Sequence, residues 1–108
     1  MKDFKVNILG TDYQVKYVEL KDEGVDGDCD STSKVIRVRT DNINNVGDID
    51  NLQKETLRHE LFHAFLYESG LGHSWQHPEQ FGHDETAIDW FARMSPKIFK
   101  LFQELEIL

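Results

Sequence analysis

The sequence predicts an α+β fold: an N-terminal three-stranded, mainly antiparallel sheet packed on one long helix and a C-terminal helical pair. Three observations carry that expectation. Short runs before residue 46 alternate apolar and polar residues with period two, helical spacing takes over after it, and turn residues punctuate both halves. Residues 1–108 read as a single domain, without internal repeat, low-complexity tract or Pro/Ser-rich linker.

Phe4-Lys5-Val6-Asn7-Ile8-Leu9 and Tyr13-Gln14-Val15-Lys16-Tyr17-Val18 alternate as half-buried strands do, and Gly10-Thr11-Asp12 between them supplies turn chemistry, so the two form a hairpin. Lys34-Val35-Ile36-Arg37-Val38-Arg39 is a third β-branched run that pairs with it. The stretch Asp22–Asp30 is too rich in Gly and Asp for regular structure and reads as a loop. Its Asp26-x-Asp28-x-Asp30 spacing matches the start of a calcium loop. Ser31 stands where that loop's glycine belongs and Arg37 where its glutamate does, so a solvated acidic loop is the better reading. Asp48 or Asp50 caps a helix that runs to about Ser69 and stops at Gly70. Asp84 caps a second helix, which Ser95-Pro96 kinks or breaks ahead of a short terminal helix over residues 97–106. Leu57, Leu61, Phe62, Ala64 and Phe65 occupy most of the first helix's circumference, the pattern of a helix buried between two layers.

Composition narrows the function classes. Twenty acidic against twelve basic residues give a net charge of −8, which opposes the phosphate neutralisation that nucleic-acid binding requires. Met1-Lys2-Asp3-Phe4-Lys5 lacks the apolar core of a signal peptide, and no apolar run approaches the roughly 18 residues of a membrane span. A lone cysteine, Cys29, permits neither an internal disulfide nor a thiolate metal cage, so a reducing cytoplasm is the expected compartment. A chain of 108 residues builds only a modest core, which a bound metal would reinforce.

The arc of the first helix left by its apolar residues holds Thr56, His59, Glu60, His63 and Tyr67, centred on His59-Glu60-Leu61-Phe62-His63. This is H-E-x-x-H. Imidazoles at i and i+4 lie one turn apart on one face and reach a single tetrahedral zinc, while the glutamate beside them can take a proton from water. Shuffling this composition yields the string in only about 2% of cases, so chance is a weak explanation. The bland alternative is a pair of hydrogen-bonded core histidines with a glutamate at the rim. It buries two imidazoles and a carboxylate on one helix, a cost that one zinc ion would relieve for both histidines at once.

A catalytic zinc commonly has three protein ligands. Leu66 and Ser69 occupy the glycine and histidine positions of the longer H-E-x-x-H-x-x-G-x-x-H string, which excludes that class. Glu85, 22 residues after His63, opens the second helix, with Asp89 one turn further on the same face. Glu85 is the expected third ligand, and Asp89 the acceptor for the second ring N–H of a ligand histidine. His83, then His73 or His77, are the other candidates. Read alone, Glu85 would be a carboxylate on the helix dipole and Asp89 an exposed helix residue. The segment Gly70–Gly82, which carries Trp75, could form a lid over the site.

These residues resemble the gluzincins, zinc metallopeptidases with H-E-x-x-H on one helix and a glutamate ligand on the next. Within that group they resemble the small ImmA/IrrE-like peptidases of bacteria, phages and mobile elements. The likeness is specific over Thr56–Ala64 and Glu85–Ala92, where the glutamate is followed by Phe91-Ala92, and loose over the run into Lys34–Thr40. It implies a minimal zincin fold with one Zn2+ per chain held by His59, His63 and Glu85. Glu60 would be the general base for hydrolysis of peptide bonds by a zinc-activated water, with Asp89 behind a histidine. A peptide or protein substrate would lie as an added strand along the third strand, at the sheet edge. Phe62 is bulkier than the small residue the family has nearby, and these 108 residues show no helix-turn-helix or sensor pattern of their own, so a repressor-cleaving role is expected to need a separate partner. Tyr67, His73, His77, His83 and Arg93 are candidates to stabilise the oxyanion. The competing expectation is a non-catalytic, zinc-stabilised module that recruits a protein partner through its strand edge. A fourth coordination position closed by Cys29 or a loop histidine would mark it.

Overall fold

A computed structural model of the chain describes residues 2–42, 45–70 and 84–108. The elements are β1 (Phe4–Ile8), β2 (Thr11–Val18), β3 (Gly27–Asp30), β4 (Val35–Arg39), α1 (Ile49–Ser69) and α2 (Glu85–Glu104). They form a small α+β domain whose single sheet has the order β1-β2-β4-β3.

The sheet is four-stranded and mixed, where the sequence predicts three strands, mainly antiparallel. β1 with β2 and β3 with β4 are antiparallel hairpins, while β2 and β4 run parallel. The extra strand, β3, comes from the Gly- and Asp-rich stretch expected as a loop. It is short of β-forming residues, but Asp28 lies directly opposite Arg37 in the register, and Asp26, just before the strand, accepts from Arg39 at 3.0 Å. Cross-strand charge pairing supplies what local propensity lacks. The Asp-x-Asp-x-Asp spacing is thus complementary to Arg37-x-Arg39, and Asp30 turns its own corner by accepting from Thr32 N at 2.9 Å. With β3 outermost, Lys34–Arg39 is an interior strand, and the edge expected there belongs to β3.

The first hairpin turns at Leu9-Gly10, one residue earlier than expected, with φ of 50° and 95°. Two successive positive φ values make the mirror-image turn whose twist suits a two-residue hairpin. Asn7 braces it, accepting from Gly10 N and donating to Asp12, both at 3.0 Å.

Ile8, Tyr13, Val15, Ile36 and Val38, each 1% exposed or less, line one face of the sheet, and Ala64, Leu57 and Leu61 of α1 pack on them. Asp48 caps α1, accepting from Asn51 N at 3.0 Å, and Gly70 ends it in the left-handed region at φ 88°. α1 lies between the sheet and α2, but the two cover it incompletely. Phe65 is 44% exposed, and the fully buried positions of the helix are Thr56, Glu60, His63 and Ala64, so three of its polar positions face inward.

Asp84 caps α2, accepting from Thr86 N at 3.0 Å and Ala87 N at 3.3 Å. The helix then continues through Pro96 to Glu104, so the expected C-terminal pair is one helix. A proline in a helix leaves the carbonyl four residues earlier without its donor. That carbonyl is Ala92's, and it accepts instead from Nε of Arg58 on α1. Among the described residues no helix is long and apolar enough to cross a membrane.

Candidate metal centre

α1 presents His59, Glu60 and His63 toward the start of α2 and the edge strand β3. The i, i+4 spacing brings the two Nε2 atoms to 3.2 Å. Glu85, in the first turn of α2, reaches both: one oxygen is 2.9 Å from His59 Nε2 and the other 3.0 Å from His63 Nε2. Asp89, one turn on, lies 2.7 Å from His59 Nδ1. A proton on Nδ1 would bond this carboxylate and leave the Nε2 lone pair for a metal in the cluster.

These contacts can be tested against a metal. Two nitrogens bound tetrahedrally at roughly 2.0–2.1 Å stand about 3.3 Å apart, close to the observed nitrogen separation. The two Glu85 contacts are a few tenths of an ångström shorter, within the reach of a carboxylate rotation. Two unprotonated imidazole nitrogens and a carboxylate meeting at one point would repel one another, and a shared cation would reverse the sign of that interaction. The three ligand atoms lie within 4.8 Å of one another, so the residues fit a metal ion.

Glu60 stands beside the cluster, one oxygen 3.9 Å from His59 Nε2, with its side chain only 8% exposed. Burial raises its carboxyl to about 7; His59 counters this, while Glu85, Asp28 and Asp89 add to it. A group poised there can accept and return a proton near neutral pH.

Two cavities flank Glu60. One, of about 330 Å3, is lined by Asp26, Glu55, Thr56, Asp89 and Arg93 together with His59. The other, of about 410 Å3, is lined by Asp28, Cys29, His63, Tyr67 and Glu85. Both share Val25, Gly27, His59 and Glu60, so they form one cleft between the edge strand and the two helices, with the cluster at its middle.

The structure thus brings His59, Glu60, His63, Glu85 and Asp89 together. Tyr67 and Arg93, candidate oxyanion partners, line opposite halves of the cleft, and Arg93 is engaged by Glu55 at 2.6 Å. Cys29 lines the cleft but is not among the clustered ligand atoms, and burial pushes its thiol up to about 12, away from the thiolate a metal takes. His73, His77, His83, Trp75 and the lid expected between Gly70 and Gly82 lie outside the described residues, apart from Gly70 itself.

Two contributors escaped the sequence reading. Gly27 lets α1 approach β3: a Cβ there would lie 2.6 Å from the Arg37 carbonyl and 2.7 Å from Thr56 Cγ2. Its signal, a glycine facing a β-branched run across a short turn, was hidden by the acidic residues around it. Arg58 reads in sequence as one more exposed charge beside the motif. Comparison with protein-family models, with curated proteins and with solved structures returned no match.

Proposed function

We propose that this chain is a zinc metallopeptidase of the gluzincin kind, resembling the ImmA/IrrE-like peptidases and hydrolysing peptide bonds in a peptide or protein substrate. The observation that carries the reading is the convergence of His59, His63 and Glu85, with contacts of 2.9–3.2 Å, and a buried Glu60 beside them. Zinc, when bound, supplies a Lewis acid that polarises a carbonyl and lowers the pKa of water toward 7.

The chain's own residues account for the rest. Glu60 takes the proton of the attacking water and delivers it to the leaving amine, a double role suited to a carboxyl near neutrality. Asp89 holds the His59 ring by its Nδ1–H and sets its basicity. The open side of β3 offers backbone N–H and C=O groups, and a peptide added there as a further strand would cross the cleft with one side of its chain toward each cavity.

The competing reading, a zinc-stabilised recruitment module, uses the same ligands and strand edge but has no use for Glu60. The Glu60 side chain is only 8% exposed beside His59 Nε2 at 3.9 Å, a placement that suits a proton-transfer role better than a structural one. Glu60→Gln is expected to retain one zinc per chain and lose peptide hydrolysis by at least about 100-fold, while His63→Ala loses the metal. Elemental analysis with a peptide-library assay decides it. A Glu60→Gln protein as active as wild type removes the role assigned here, and a zinc-loaded wild type that cleaves nothing favours the module.

A further inference from the structure

Pro96 and Arg58 form a pair across the helix interface that bears on the metal centre. α2 continues for two more turns past Pro96, although Ala92, whose carbonyl loses its usual donor, is 1% exposed and offers water little access. Arg58 Nε donates to that carbonyl. Arg58 directly precedes His59, and Ala92 lies one turn beyond Asp89 and two beyond Glu85.

The contacts between α1 and α2 run in antiparallel order through this point. Glu55 meets Arg93 at 2.6 Å, Arg58 meets Ala92, the Phe62 and Phe91 rings lie 5.6 Å apart, His59 meets Asp89 and His63 meets Glu85. Of the polar contacts outside the cluster, the Glu55–Arg93 pair is surface-exposed, with the Arg93 side chain 67% exposed, and holds register weakly. The Arg58 contact is part-buried and answers a backbone carbonyl that lacks its usual donor four residues on.

We propose that Arg58 is a positioning residue for the metal centre: it replaces the N–H missing at Pro96 and so fixes the course of α2 and its register on α1, with Glu85 and Asp89 against His59 and His63. The proposal rests on reading the cluster as a metal site. The lever is long. Glu85 lies seven residues, about 10.5 Å of helix, from Ala92. A kink of about 20°, of the size proline causes, would carry it roughly 3–4 Å, far beyond the about 0.2 Å tolerance of a metal site.

The test is a cycle of Arg58→Met, Pro96→Ala and the double variant, titrated with cobalt(II), whose visible absorption reports the coordination sphere. Arg58→Met is expected to bind cobalt about 10-fold more weakly, with a weaker absorption band as Glu85 withdraws. Pro96→Ala restores the N–H, so the double variant should return to within about 3-fold of wild type with its spectrum recovered. Arg58→Lys, which keeps a donor, should rescue part of the loss. A wild-type affinity and spectrum in Arg58→Met, or a double variant as weak as the single one, overturns the proposal. If Arg58→Met alone does not fold, the double variant decides: folded and cobalt-binding supports it, unfolded overturns it. A wild type that takes up no cobalt overturns the metal reading and the positioning role with it. Urea midpoints of the metal-free cycle still report whether Arg58 answers Pro96, through a smaller Arg58→Met loss in the Pro96→Ala background.

Discussion

Gly27 controls how near α1 comes to the edge strand, and with it where Glu60 sits in the cleft. Its absent side chain leaves room for the Arg37 carbonyl, for Thr56 Cγ2 and for Glu60 Cγ, which a Cβ would meet at 3.5 Å. Two of those contacts are backbone or a stiff β-branched methyl, neither able to yield cheaply. Gly27→Ala should therefore destabilise the fold by about 1–3 kcal/mol in urea unfolding. Because the displaced groups include Thr56 and Glu60 on the motif helix, the proposed hydrolysis should fall further than stability alone explains. A loss below about 0.5 kcal/mol would show that the helix and strand have slack the packing does not suggest. His59 and Asp89 make the same point in polar form, since a ligand's orientation depends on a partner 30 residues away.

At the scale of elements, the last turn of α1 is tied to the sheet by Glu68. Its carboxylate accepts from Tyr13 Oη at 2.7 Å and Lys34 Nζ at 3.0 Å, and the Lys34 ammonium also stands 5.5 Å from the Tyr13 ring centroid. These donors, the Tyr13 hydroxyl first and then Thr11 and Lys34, hold the Glu68 carboxyl down to about 2 from an ordinary 4.5. A carboxyl depressed in the folded state contributes stability that is fully present above its unfolded value and is lost as pH falls through its folded one. The clamp should therefore hold above pH 4.5 and fail progressively toward pH 2. In urea midpoints measured across that range, Glu68→Gln should begin lower at neutral pH and fall less steeply than wild type. Parallel curves for the two proteins would mean that acid acts elsewhere. Among the described residues α2 shows no comparable tie to the sheet; it buries Ile88, Ala92 and Ser95 and meets α1 through the polar contacts that lead to the candidate metal cluster. Helix α2 is thus the element whose order the ligand set should govern.

For the whole molecule, the proposed metal site predicts coupling between metal and fold. Zinc at 100-fold excess over its Kd should stabilise the protein by about 2.7 kcal/mol, raising Tm by roughly 10 °C or more for a domain of this size. A chelator should reverse the shift, and His63→Ala should not show it. A melting temperature indifferent to zinc in wild type would separate the cluster from any metal role. Much of this arrangement is local and was legible in the chain: the caps at Asp48 and Asp84, the stop at Gly70, the hairpin alternation, and two histidines one helical turn apart with a glutamate between them. Each follows from periodicity or from a side chain bonding its own backbone, which neighbouring residues determine. β3 was not legible, because Gly27-Asp28-Cys29-Asp30 becomes a strand only when Arg37 and Arg39 lie opposite it. Nor was the unbroken α2, since Pro96 breaks a helix by itself and a partner 38 residues earlier, Arg58, restores what it lacks. Sequence alone determined the chemistry available and the faces it occupies. Only the tertiary structure decided that Glu85 and Asp89 meet the histidines and that a glycine lets them share a cleft, because those contacts depend on how two helices and an edge strand approach, which no local preference encodes.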